Sequence, residues 1–113
     1  MATPSDLYSS LLAALTSARS AMLNPAWQAE LDKADSAVRV SAGQAAIDLQ
    51  GAILTLSNES LGDIAAQMQA NEAALASATQ GLTQALKDIT KVQNILSSVT
   101  KAVAVLSKIV TLL

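Results

Sequence analysis

From Leu61 onward apolar residues recur by sevens: Leu61, Met68, Leu75, Leu82, Ile89, Leu96, Val103 and Val110 form one row without a gap. Ile64, Asn71, Ala78, Ala85, Val92, Val99, Leu106 and Leu113 form the companion row, with Asn71 as its one polar member. Two such rows lie on one stripe of a helix and make a coiled-coil-like seam. The pattern predicts a C-terminal helix over about residues 60–112, a rod of roughly 80 Å if unbroken. Asn94, Ser97 and Ser98 are the expected place for a break. The eight residues of the first row are the candidate interface for a second copy or a helical protein partner.

Upstream, local chemistry marks two helix starts. Thr3-Pro4-Ser5-Asp6 carries a capping Thr, Pro at the first helical position and an acid three residues after the cap. Leu7, Leu11, Leu15, Ala18 and Met22 follow at helical spacing, predicting a helix over about 4–23. Asn24-Pro25 then forces a bend, because a residue before Pro is pushed out of the α region and Asn caps well. Leu31, Val38, Ala42, Ala45, Leu49, Ala52 and Leu56 extend a second helix over about 25–56, and Ser57-Asn58-Glu59-Ser60 interrupts it. Ser60 with Asp63 resembles a further capping box.

These elements predict an all-α fold and a single helical domain over 1–113. If the turn is centred on Glu59, residues equidistant from it face one another: Ala45 meets Ala73, Ala42 meets Ala76 and Ala52 meets Ala66. Facing small residues let helices approach closely, which favours an antiparallel helical hairpin. A lone hairpin leaves apolar faces uncovered, so assembly into a helical bundle, as a homo-oligomer, is expected.

The stretch 95–113 combines a broad apolar face with Lys101 and Lys108 and contains no acid. Ile95, Val99, Leu106 and Ile109, with the two lysines at the headgroups, could lie in a lipid interface. The same face could equally pack within a bundle, the lysines complementing the helix dipole. Asn71 could fix register in a seam, and Trp27 could close the junction after the bend or anchor a partner.

Composition narrows the chemistry. The chain has 113 residues, 14% charged and 2% aromatic, with no His, Cys or Phe. Without His or Cys the usual zinc, copper and haem sites and the cysteine or histidine catalysts cannot be built, so no metal or cofactor is expected. Gly43, Gly51, Gly62 and Gly81 are isolated and form no phosphate loop. Ser98 and Lys101 sit three apart by ordinary helical spacing. Glu30, Asp32 and Asp35 near a helix start suit its dipole without further purpose. The formal charge of −2 and pI near 4.8 argue against nucleic-acid binding, which needs clustered cations.

The cellular address stays open. Asp6 precedes the apolar stretch Leu7 to Leu15 and Arg19 follows it, the reverse of a cleavable secretory signal, so export without a leader is compatible. Mean hydropathy is +0.38, yet no uncharged apolar run is long enough for a conventional spanning helix. The apolar ending Thr111-Leu112-Leu113 suggests a piece of something longer. In size and hairpin plan the chain resembles small secreted Trp-x-Gly helical hairpins, but here Gln28 and Ala29 follow Trp27. Its composition also resembles that of phasins, and neither resemblance assigns a family. The sequence therefore predicts a non-catalytic module for helical self-association and protein interaction. The alternative is a membrane-active protein acting through 95–113, in the manner of pore-forming or surface-coating helices.

Overall fold

The first helix starts where a capping box closes. Asp6 N–H donates to Thr3 Oγ1 at 3.1 Å, and Thr3 N–H donates to the Asp6 carboxylate at 3.2 Å. In the computed structural model, which describes residues 3–110 and omits the side chain of Leu61, six helices follow in order: α1 (Pro4–Met22), α2 (Pro25–Asp32), α3 (Ser36–Asn58), α4 (Leu61–Ala70), α5 (Glu72–Ala85) and α6 (Val92–Leu106). No strand occurs among the described residues.

The expected helix over 25–56 is two helices. Asn24 Oδ1 accepts from Ala26 N–H at 2.8 Å and opens α2, as its sequence implies. Asp35 Oδ1 then accepts from Val38 N–H at 3.0 Å and opens α3, while the Arg39 guanidinium donates to the Ala34 carbonyl at 2.9 Å. One side-chain cap and one cation thus satisfy backbone groups on both sides of the break.

The long C-terminal rod is likewise replaced by three helices, within a molecule measuring 43 × 28 × 18 Å. Asn71 adopts φ −109° and ψ 20°, and its Nδ2 donates to the Gln67 carbonyl at 2.8 Å, ending α4. A second break covers 86–91. There Thr90 donates to Asp88 Oδ1 through both its hydroxyl and its N–H, and Lys91 N–H donates to the Asp88 carbonyl. An Asp side chain that captures backbone two residues on offers an alternative to the helical ladder. Asn94, Ser97 and Ser98, where the break was expected, lie inside α6.

The helices form a closed ring: α1 lies against α3, α3 against α6, α6 against α5, and α4 with α5 against α1. Tyr8 at the start of α1 reaches Leu56 at the end of α3, so these two run antiparallel. Ser98 Oγ donates to the Gly81 carbonyl at 3.4 Å across an antiparallel α5–α6 pair. Val38 and Ser41 border the same groove as Gln93 and Leu96, so α3 and α6 run parallel.

The hairpin centred on Glu59 does not form, because α3 does not lie against α5. Ala42, Ala45 and Ala52 are buried, but Ala66, Ala73 and Ala76, their expected partners, are exposed. Facing alanines remove little area from water. Set against the leucines of α1 and the Ile and Val residues of α6, α3 buries more.

The core contains Leu11, Leu15, Leu49, Leu56, Met68, Leu82, Ile95 and Leu106, none with any exposed surface, and Trp27 at 1% exposure. No polar or charged side chain is buried among the described residues. Broken backbone notwithstanding, the seven-residue row still faces inward: Met68, Leu75, Leu82 and Val110 are buried, and Ile89, Leu96 and Val103 are half-buried against the core. Leu61 begins α4, with its side chain outside the described residues, as Leu113 is altogether.

Candidate interaction surface

Helix α3 has two apolar faces. Ala42, Ala45, Leu49, Ala52, Ile53 and Leu56 make the first, which is buried. Val40, Ile47 and Leu54 make the second. They are spaced by seven and are 72%, 67% and 57% exposed. At roughly 100° per residue the three fall within about 40° of one another, nearly opposite the buried stripe. Gly43, Gln44 and Gly51 lie between them and bring no charge to the stripe. Arg39 and Asp48 flank it on either side, and Asp48 Oδ1 accepts from Gln44 Nε2 at 2.9 Å along the same helix. A Cβ placed on Gly43 would meet nothing within 4 Å, so this part of the face is open.

Leu23, at 74% exposure, is a further exposed aliphatic residue, at the C-terminal cap of α1. Among the described residues these are the four large aliphatic side chains with most of their surface exposed, and single exposures of this kind are ordinary. Three of them share one helix stripe, as expected of a contact surface and not of scattered single residues.

The residues expected to meet a partner or lipid are placed differently. Met68, Leu75 and Leu82 are enclosed within one chain and present no surface outward. Ile95, Val99 and Leu106 on α6 and Ile109 in the turn after it are buried in the core, while Lys101 and Lys108 are exposed. No helix of the described residues is long and apolar enough to cross a membrane. The α3 stripe was legible in the sequence as a second seven-residue row, but it shares its helix with the Ala42–Leu56 row, which drew the periodicity toward one face.

Several other polar groups have structural partners. Ser98 donates to the Gly81 carbonyl, so its hydroxyl is not directed to Lys101. Both residues border an open groove of about 450 Å³ between α5 and α6, lined otherwise by Ala74, Ser77, Ala78 and their small neighbours. Glu30 pairs with Lys33 at 3.3 Å, and Asp35 caps α3. No group of three acids able to hold a metal occurs among the described residues. Asp88, fully exposed, has its carboxyl held below the ordinary value of 3.8, first by the Thr90 hydroxyl, then by the Thr90 N–H, with a smaller contribution from the Lys91 charge. Both donors lie within its own turn, so the shift belongs to the break before α6. No protein-family model, curated protein or solved structure matches this chain.

Proposed function

We propose that this protein is a non-catalytic helical interaction module that self-associates, using the outer face of α3 in place of the heptad row after Leu61. The observation carrying this reading is the uncharged aliphatic stripe Val40, Ile47 and Leu54, exposed on a helix whose opposite face is fixed in the core. Burying such a stripe is favourable by on the order of 1.5–3 kcal/mol per fully covered side chain. Nothing of comparable strength points to chemistry: the buried interior is apolar, and Thr3, Asp6, Asn24, Asp35, Asn71 and Asp88 serve caps and turns.

Sedimentation velocity across a concentration series tests the reading. The intact chain is expected to gain mass with concentration, and Ile47→Asp to remain monomeric with unchanged helical content. A chain that stays monomeric throughout would refute it. The lipid alternative draws on the unpaired positive charge of Lys101 and Lys108. It requires Ile95, Val99 and Leu106 to leave the core, at a cost that an interface would have to repay. Flotation with anionic and neutral phospholipid vesicles separates the two, since only the lipid reading expects the chain to rise with the vesicles.

A further inference from the structure

Resting on the self-association reading, we infer that the occupant of the α3 stripe is α3 of a second copy, running antiparallel, with the two-fold axis passing beside Ile47. The stripe is symmetric about that residue. Positions equidistant from Ile47 match in kind: Val40 with Leu54, Gly43 with Gly51, and Gln44 with Gln50. In a two-fold interface, residue i meets residue j and j meets i, so a self-complementary stripe is what such pairing demands. Antiparallel pairing places each aliphatic side chain against an aliphatic partner and each glycine against a glycine. The glycines lower the surface between the aliphatic contacts and let the two helices come close.

Charge and area agree with this occupant. The contact positions carry no charge, so the face offers nothing to an acidic or basic partner, and one Arg and one Asp at its edges give no cationic rim for anionic lipid. Taking on the order of 100 Å² for each exposed aliphatic side chain, two copies remove roughly 600 Å² through these residues alone. The intervening Gly43, Gln44, Gln50 and Gly51 bring the total toward about 1,000 Å², the threshold for a specific interface. An interface of this size is of the weak, transient kind, so association is sought at concentrations up to about 1 mM.

The chain has no cysteine, so single introduced thiols report the geometry directly. Each position used is exposed, and far-UV circular dichroism establishes that each variant is folded. Under mild oxidation Ile47→Cys should give disulfide-linked dimers well above the level of Gln80→Cys, an exposed control on α5. Val40→Cys and Leu54→Cys should cross-link efficiently when mixed and poorly when oxidised separately. If Val40→Cys instead pairs with itself and Leu54→Cys with itself, the helices run parallel and the antiparallel arrangement about Ile47 is overturned, while self-association stands. If the intact chain forms dimers by sedimentation yet none of these thiols exceeds the control, another face is used and the inference fails alone. If the intact chain is monomeric up to about 1 mM, the range in which even a weak dimer forms, both the inference and the function it rests on are refuted.

Discussion

The hydroxyl of Tyr8 donates a 3.0 Å hydrogen bond to the main-chain carbonyl of Leu56, joining the second turn of α1 to the last turn of α3 across 48 residues of chain. It closes the end of the antiparallel pair from which the ring is built. The Leu56 carbonyl also accepts from Glu59 N–H at 3.2 Å, so it keeps a partner if the hydroxyl is lost. Tyr8→Phe is therefore expected to cost about 0.5–1.5 kcal/mol, the net worth of one such bond, without the larger penalty of an orphaned acceptor. Urea denaturation should show a lower midpoint and an unchanged slope.

Trp27 makes a stronger case. It is the single Trp of the chain, sits on the two-turn helix α2 and is 1% exposed. So short a helix has little intrinsic stability, and the indole is its main attachment to the core. Trp27→Ala should cost about 3–5 kcal/mol, a large part of the roughly 5–15 kcal/mol that holds an ordinary domain folded. The thermal midpoint from circular dichroism measures this, and the variant is expected to melt many degrees lower. In the unmodified chain, Trp27 fluorescence should shift to longer wavelength in one step with the loss of helix signal. A fluorescence change well before that loss would show α2 detaching on its own.

The divisions of the backbone show how much of this fold could be read in advance. Thr3, Asp6 and Asn24 act within three residues of themselves, and the helix starts they specify appear as expected. Asp35 and Asp88 use the same local chemistry, but each sits inside a run whose apolar spacing continues past it. Periodicity records which face is apolar and is indifferent to whether the backbone between two turns is intact. Hence Leu75 and Leu82 are legible as members of one apolar row, which the sequence offers to a second copy or partner and the fold turns into its own core, while the breaks at Asn71 and 86–91 are not legible. Choosing partners for α3 was harder still. Alanines occur on nearly every face, so many registers match small with small, and only three-dimensional closure selects α1 and α6. The α3 stripe was hidden for a related reason: a helix with two apolar faces looks like a helix with one broad one.

Asp35 offers a direct check on the first of those breaks. Its carboxylate caps α3 through Val38 N–H, and Ala at this position leaves that donor to solvent. Asp35→Ala should lower stability by about 1 kcal/mol, with Asp35→Asn or Asp35→Ser recovering most of it, because all three side chains accept the same bond. Equal loss in all three variants, read from denaturation midpoints, would mean the charge matters and the cap does not.

The turn at Asp88 carries a pH signature. Its folded-state pKa lies below the ordinary 3.8, chiefly because the Thr90 hydroxyl and N–H bond the charged form. A depressed carboxylate contributes to stability above the unfolded-state value, and that contribution disappears as pH falls through the folded-state value. Thr90→Val removes the hydroxyl and keeps the N–H. Its Asp88 carboxyl should therefore titrate at higher pH than in the parent chain, as followed by carboxyl-carbon NMR. An unchanged titration would assign the shift to the backbone N–H and Lys91.

Gly43 and Gly81 separate the stability of one chain from the affinity of two. Both lie inside helices, and a Cβ at either would meet nothing within 4 Å. Replacing a helical Gly by Ala restricts the unfolded chain and favours the helix, so each substitution should raise the stability of the monomer by about 0.5–1 kcal/mol. Their effects on association should differ. Gly81 belongs to α5, away from the proposed contact, and Gly81→Ala should leave the dissociation constant unchanged. Gly43 is placed opposite Gly51 of the second copy, where an added methyl holds the helices apart, so Gly43→Ala should weaken the dimer severalfold while the monomer melts at higher temperature. Opposite signs for one substitution are hard to obtain from general destabilisation or from a contact elsewhere on the surface. Denaturation at low concentration, together with sedimentation at high concentration, measures the two effects independently.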